Sequence, residues 1–567
     1  METIAEAIRD RLAAALTRLN YQPGEAIQVS PAADPRFGDY QSNLALQLGK
    51  AAGQKPRVVA EAIVGQLELE PLAEPAEIAG PGFINFRVKR EFIEQRVAET
   101  LQDPRLGVPL TPVRRRLIIE FSSPNIAKPM HVGHVRSTIL GDSLARVARY
   151  LGHEVITDNH LGDWGTQFGK VIFGWKHYLD ETALAKDPIE ELVRLYREAD
   201  AASKVDPAVL EKSRQELVLL QQDDPGNLAI WRRCVELSLG EFKRIYDRLG
   251  VSFDQQLGES FYHPFLQEMV NRLTATGVAT ISEGATVVFD PQISETPFMI
   301  RKSDGGFGYA TTDISTLEYR VKTWHPDAIW YVVGAPQQLH FQQLFGVARR
   351  LGLKVELQHI AFGSILGEDR KLMRTRTGES VPLAELLDQA VTRAEKLVLE
   401  KNPALDASAR ARIGRIVGLG AIKYADLSQH RLTDYVFSWD KMLSLQGNTA
   451  PYLQNAYVRS RSIFKRLGTE FDPPANVTFT EPAELLLAKT IFQFGEVVPS
   501  VLDGFRPNAL ANYLYGLAGI YHSFYETCPV LAAPEPARSS RLALCQLFAN
   551  VLQTGLDLLG IEVPEQM

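Results

Sequence analysis

The chain has 567 residues, with 61 Lys and Arg against 68 Asp and Glu and a net charge of −7. That length predicts roughly three or four domains with ample packed core, and the three scattered cysteines, Cys234, Cys528 and Cys545, exclude a disulfide framework or a cysteine zinc site. The acidic balance argues against a nucleic-acid partner unless local clusters supply positive charge, and no apolar run is long enough to span a membrane.

Met1 opens directly into an amphipathic helical pattern, with Ile4, Ile8, Leu12, Leu16 and Leu19 on one face. It lacks the basic start and apolar centre of a secretory leader, so a cytoplasmic protein is expected. Residues 1–112 read as a first domain, closed where Pro104, Gly107, Pro109 and Pro112 break the pattern.

Leu117 to Phe121 is then a strand, ended by Ser122-Ser123-Pro124. After Pro129 the apolar residues Val135, Ile139, Leu140, Leu144 and Val147 recur at helical spacing, Gly152 stands where a helix ends, and a second strand follows at 154–157. Such a unit is where α/β proteins bind nucleotide phosphates. The helix N-terminus is expected to offer free backbone N–H groups and partial positive charge. His131 and His134 lie at that mouth, suited to hydrogen-bond a phosphate whose charge grows in a transition state, and Gly133 leaves room for a base. The rival reading is a zinc pair helped by His153, Asp158, His160 or Asp163. It is disfavoured because the helical zinc signature carries Glu after its first His, and here Val-Gly follows.

Residues from about 175 to 300 carry long charged helical patterns broken at Pro188, Pro207 and Asp224-Pro225-Gly226, and read as an insertion. Tyr309 and Asp313 are four apart and share a face if that stretch is helical, while Glu120 ends the first strand at the edge where ligands bind. The bland readings are an N-cap for Asp313 and a structural salt bridge for Glu120. A strand at 329–333, a helical pattern to Gly352 and a strand at 355–362 supply the second half of the sheet. Residues 113–380 are therefore expected to form a Rossmann-type parallel-sheet domain.

From about 381 to 567 nearly every segment is helical in period, as at 485–502 and 510–524. Two basic clusters with aromatics stand out there: Tyr457, Arg459, Arg461, Lys465 and Arg466, and Lys423, Tyr424, His430 and Arg431. On spacing alone each is as well explained by a solvated helix face.

The run SSPNIAKPMHVGH from Ser122 resembles the HIGH motif of class I aminoacyl-tRNA synthetases, in the form carried by the arginyl-tRNA synthetases, and NHLGDWGTQFG from Asn159 strengthens the match. FGDYQSN, EIAGPGFIN, YATTDI, LQGNTAPYLQNAYVR and LLGIEVPEQM extend it over essentially the whole chain. The resemblance implies activation of L-arginine by ATP and transfer to tRNA, with an α+β N-terminal domain, a Rossmann-type catalytic domain and a helical anticodon-binding domain. It assigns arginine to Glu120, Asn125, Tyr309, Asp313 and Gln337, and ATP to His131, Gly133, His134, Gly363 and Met373. A guanidinium suits paired planar acceptors, so chemistry and resemblance agree on the acids. The tRNA elbow falls to Phe37, Asp39, Tyr40 and Gln41, and the anticodon to the helical end, with Arg459 and Arg461 and the aromatics Tyr452, Tyr457, Tyr513 and Tyr521.

The chain departs from the family's class in its KMSKS loop, which reads GEDRKLMRTRTG from Gly367. Arg370, Lys371, Arg374 and Arg376 are left to supply charge, with Lys128, just upstream of the HIGH motif, expected to meet the phosphates. A monomer is expected, with Mg²⁺ accompanying ATP, no permanently bound cofactor and no metal held by the chain itself. A synthetase for another amino acid fits Glu120 and Asp313 poorly, and a small-molecule adenylyltransferase has no reason for the extra domains. A non-catalytic tRNA-binding relative is disfavoured because Asn125, Lys128, His131, His134 and Asp313 are present together.

Overall fold

The computed structural model describes every residue except 22–26, 33 and 375–379, so Arg376 lies outside the described residues. Two compact units emerge, one of residues 1–110, 444–557 and 562–567, the other of residues 111–443 and 558–561.

The second unit is built on a four-stranded parallel sheet. Its elements in chain order are β1 (Arg116–Glu120), α1 (Val132–Tyr150), β2 (Glu154–Asp158), α2 (Tyr309–Trp324), β3 (Ala328–Tyr331), α3 (Gln338–Arg350) and β4 (Glu356–His359). The strands lie in the order β4-β3-β1-β2, so the chain leaves β1 in one direction and returns on its other side. The crevice at the carboxyl ends of β1 and β3 is thus a topological switch point. Glu120 is in register with Asp158 on one side and Tyr331 on the other. Leu117, Ile118, Ile119, Ile329 and Trp330 are buried, as expected of a sheet covered on both faces.

The inserted segment is mostly helical, and its three proline breaks are helix starts. Asp187, Asp206 and Asp224 each cap a helix whose first residue is Pro188, Pro207 or Pro225, accepting from Glu190, Ala208 and Asn227 N–H at 3.0, 2.8 and 2.9 Å. Proline has no N–H to leave unpaired there, and aspartate satisfies the next ones. A small antiparallel sheet, Thr280–Ser282, Ala285–Asp290 and Ser294–Arg301, closes the insertion.

Helices Leu383–Lys401 and Ala407–Leu427 were expected to open the helical end domain from 381, yet they belong to the sheet's unit, packing on α1. Helical period reports which face is apolar, not which neighbour covers it.

The first unit joins the N-terminal segment to the C-terminal helices. Helix Ile4–Arg18 starts with a Thr3–Glu6 capping box and packs in a unit with an antiparallel four-stranded sheet that includes Tyr40–Ser42 and Phe83–Phe86. Asp39 pairs with Lys489 at 2.8 Å, and the Tyr40 hydroxyl donates to Glu496 at 2.8 Å. Among the described residues no helix is long and apolar enough to cross a membrane.

Candidate functional site

The loop after β1 leaves the sheet through three non-glycine residues in the left-handed region, Ser122 (φ 73°), Ser123 (φ 48°) and Ala127 (φ 59°). Each costs about 1–3 kcal/mol and persists only if the surroundings hold it. They do: Ser122 N–H donates to Ser137 Oγ at 2.8 Å, Ser123 N–H to Asn159 Oδ1 at 3.1 Å, Ile126 N–H to the Gly162 carbonyl at 3.1 Å and Ala127 N–H to Ser238 Oγ at 3.0 Å. The side chain of Tyr246 ties Ser122 (2.8 Å) to Asn159 (3.2 Å). The loop thus delivers Asn125 and Lys128, both exposed, to the head of α1.

His131 caps α1, its Nδ1 accepting from Gly133 N–H at 3.1 Å, while His134 Nδ1 accepts from His131 N–H at 3.0 Å. The two rings lie 4.0 Å apart. Burial lowers the His131 pKa, and burial followed by the neighbouring ring drives His134 down to about 3. Both are therefore neutral near pH 7, and since each Nδ1 accepts, each proton sits on Nε2 as a donor.

This corrects one expectation, because the backbone N–H groups at the head of α1 are not free. Val132 N–H bonds to the Val381 carbonyl at 3.0 Å, Gly133 N–H to His131 Nδ1, and His134 N–H to the His131 carbonyl at 2.8 Å. A phosphate here meets imidazole donors and the helix dipole rather than bare amides. Gly133 is likewise not an opening for a base; a Cβ there would come 2.9 Å from the His131 ring, so the space it leaves is filled by that ring.

The other side of the crevice is acidic. α2 begins at Tyr309 with Gly308 as its cap, so Asp313 is one turn inside the helix rather than an N-cap, and Tyr309 and Asp313 share a face. Tyr309 is exposed and Asp313 half-buried. The structural reading of Glu120 is also present: its Oε2 lies 2.6 Å from Nη1 of Arg320, a fully buried α2 residue whose Nη2 is 2.7 Å from Asp158. Burial pushes the Glu120 carboxyl up, opposed by Arg320, and Asp313 adds to the rise.

Four residues absent from the sequence reading as substrate groups join this crevice. Arg320 is one, and His340, on α3, is another, its Nε2 2.5 Å from Asp313 Oδ2. Gln337, three residues earlier, ends the turn before α3 and is exposed. Glu259 is the third. Burial, then Asp313 and Asp163, push its carboxyl up to about 8. The fourth, His160, is kept neutral by burial and then by Arg320, with Asp313 and Asp158 opposing. The sequence signal was present for some: His160 and Asp163 lie inside NHLGDWGTQFG and His340 just after Gln337, whereas nothing local distinguished Glu259 or Arg320. Glu120 and Asp158 hold the buried Arg320 guanidinium, while Glu259 and Asp313 stand outside that pairing, Asp313 raising the carboxyls of Glu120 and Glu259, an arrangement short of positive charge and suited to a cationic ligand.

Beyond the sheet, Ile365–Leu366 pairs in parallel with Tyr435–Val436. Gly363 is held against this connection, since a Cβ would approach Asp434 Oδ1 to 2.6 Å, and Met373 N–H bonds to the Ile365 carbonyl at 3.3 Å. Lys371 and Arg374 are exposed. Lys128 lines a cavity of about 340 Å³ with Gln167, Lys170, Tyr196 and Arg214. Among the described residues no group of three or more His, Cys, Asp or Glu is placed to hold a metal ion.

Three family models divide the chain: the Arginyl tRNA synthetase N terminal domain over residues 2–88, the tRNA synthetases class I (R) catalytic domain over 96–439, and the DALR anticodon binding domain over 453–567. The arginine--tRNA ligase of Synechococcus elongatus is 44% identical over 99% of both chains. The chain belongs to the arginyl-tRNA synthetases. It is an enzyme, an ATP-using aminoacyl-tRNA ligase for arginine. The solved arginyl-tRNA synthetases of Plasmodium falciparum (TM-score 0.86, 28% identity, 100% of both chains) and Thermus thermophilus (0.83, 25%, 99% and 100%) share its fold.

The synthetase's sequence-assigned tRNA residues fare unevenly. Phe37 is exposed, 48% of its surface open, and Gln41 half-buried, but Tyr40 is buried with its hydroxyl on Glu496. Its ring supports the surface rather than forming it. Arg459 lies over the Tyr525 ring (5.5 Å) and Arg461 over Phe464 (4.9 Å), with Arg461 also donating to Gln546 at 2.9 Å. Tyr452 and Tyr457 are half-buried; Tyr521, stacked 3.7 Å from Phe548, is core, and Tyr513 spends its hydroxyl on the Thr490 carbonyl at 3.0 Å. The second basic cluster is split: Lys423 and Tyr424 are buried, Lys423 Nζ donating to the Leu249 carbonyl at 2.5 Å, while Arg431 is half-buried and donates to the Ala361 carbonyl at 2.6 Å and His430 is exposed.

Proposed function

We propose that the acid-lined end of the sheet holds arginine and that the head of α1 holds the phosphates of ATP, so that the arginine carboxylate attacks the α-phosphate in line and releases pyrophosphate. The observation that carries this is the pairing, across one switch point, of neutral Nε2–H donors at His131 and His134 with the carboxyl groups of Glu120, Glu259 and Asp313. Asp313 and Glu120 receive the guanidinium, Tyr309 flanks it, and Asn125 and Gln337 meet the α-amino and carboxylate end. The imidazoles donate to the oxygens whose charge grows as the α-phosphate is attacked, and Lys128, with Lys371 and Arg374, supplies fixed positive charge toward the departing pyrophosphate. Gly363 and Met373 border the nucleotide. No covalent nucleophile is required.

ATP enters as its Mg²⁺ complex, the metal travelling with the substrate. In the second step the 2′-hydroxyl of the terminal adenosine of tRNA attacks the adenylate carbonyl, yielding arginyl-tRNA and AMP. Phe37 and Gln41 meet the tRNA elbow and Arg459 and Arg461 the anticodon end, where the exposed Arg459 and the half-buried Tyr452 and Tyr457 suit splayed bases. The enzyme acts as a cytoplasmic monomer.

The test is pyrophosphate exchange into ATP with each amino acid in turn, with and without total tRNA. Exchange with arginine alone supports the pocket; exchange with another amino acid overturns it, and none in any mixture returns the chain to a tRNA-binding role without catalysis.

A further inference from the structure

Two elements far apart in sequence meet at Asp313. His340, one turn into α3, places Nε2 2.5 Å from Oδ2 of Asp313 on α2, with the imidazole 24% and the carboxylate 28% exposed. The ring is clamped on two other sides, by Phe298 from the small antiparallel sheet (5.3 Å, 65°) and by Phe341 of its own helix (5.6 Å, 90°). The charged or titratable groups facing it are Asp313 from α2, Glu120 from β1 and His359 from β4. It therefore holds one oxygen of the very carboxylate assigned to the substrate guanidinium.

We propose that His340 is a positioning residue for arginine: it donates Nε2–H to Asp313 Oδ2 and leaves Oδ1 for the guanidinium. The inference rests on the reading of Asp313 as an arginine acceptor. The physical basis is that an N–H donor held on one carboxylate oxygen fixes the plane and direction of the other, so the acid meets the guanidinium already aimed.

The experiment is equilibrium binding of L-arginine to the full chain by calorimetry, with KM for ATP from pyrophosphate exchange, for the natural protein, His340→Gln, His340→Ala and Asp313→Asn. His340→Ala should raise arginine Kd roughly tenfold with KM for ATP unchanged, because an unanchored carboxylate loses its aim. His340→Gln, whose amide nitrogen stands close to where Nε2 stood, should recover most of that loss. Natural arginine affinity in His340→Ala overturns the positioning, and so does a His340→Gln variant no better than His340→Ala. If Asp313→Asn binds arginine normally, the reading beneath the proposal fails instead.

Discussion

Arg320 and Glu120 form an ion pair at 2.6 Å beneath the switch point of the sheet, with Arg320 reaching Asp158 on the next strand as well. A guanidinium belonging to the protein thus already occupies one oxygen of a carboxylate assigned to the substrate's guanidinium. Its planar fork spans the ends of two adjacent strands, a geometry an ammonium does not reproduce. The pair fixes Glu120 and leaves Glu259 and Asp313 as the acids without a resident arginine.

Replacing Arg320 by alanine strands Glu120 and Asp158 in a buried site. The expected cost is about 3–5 kcal/mol of unfolding free energy, read from urea denaturation followed by circular dichroism. Arg320→Lys should recover only part of it. A loss below about 1 kcal/mol in Arg320→Ala would show that the buried network is not holding the sheet ends together.

Asp313→Ala should weaken arginine binding while sparing ATP, since it removes an acceptor of the guanidinium and touches nothing at the head of α1. KM for each substrate in pyrophosphate exchange separates the two. An arginine KM equal to the natural one removes Asp313 from the pocket.

Glu259 carries its own pH signature. With its carboxyl pushed up to about 8 from 4.5, it is protonated at neutral pH in the free protein. A folded pKa above the unfolded one stabilises the fold below 4.5 and loses that contribution as pH rises through about 8. A bound guanidinium favours the ionised form, so arginine binding near pH 7 should release up to about one proton. Calorimetry in buffers of different ionisation enthalpy measures it, and Glu259→Gln should abolish the release. Equal proton release in the variant places Glu259 outside the arginine site.

The histidine pair should not titrate where the enzyme works. His134, lowered from 6.5 to about 3, stays neutral, and its stability contribution is present above 6.5 and lost as pH falls toward 3. His134→Asn retains an acceptor for the His131 N–H and should soften the acid-induced loss of urea midpoint. It should also slow exchange about 10²–10³-fold by removing the Nε2–H donor. An undiminished rate would take His134 out of the reaction.

Much of this was written in local pattern. The strand to 120, the helix capped by His131, the strand at 154 and the proline-started helices of the insertion all follow from apolar period and cap chemistry, which act over a few residues. The HIGH-like run likewise pointed to the proposed phosphate end, because its chemistry lies within one turn of helix. The sequence alone therefore determined the fold class, the family resemblance and the residue types at the head of α1.

Tertiary structure decided the rest. The acid-lined end of the crevice is assembled from Glu120 on β1, Glu259 in the insertion, Asp313 and Arg320 on α2 and His340 on α3. Lys423 shows the converse: it read as a basic surface, yet is buried against backbone carbonyls. Whether a charge is solvated, paired or left to seek a ligand depends on what packs over it, and that partner comes from elsewhere in the chain. Local sequence specifies each helix and its apolar face, whereas the electrostatics of a shared crevice exist only once the helices have met.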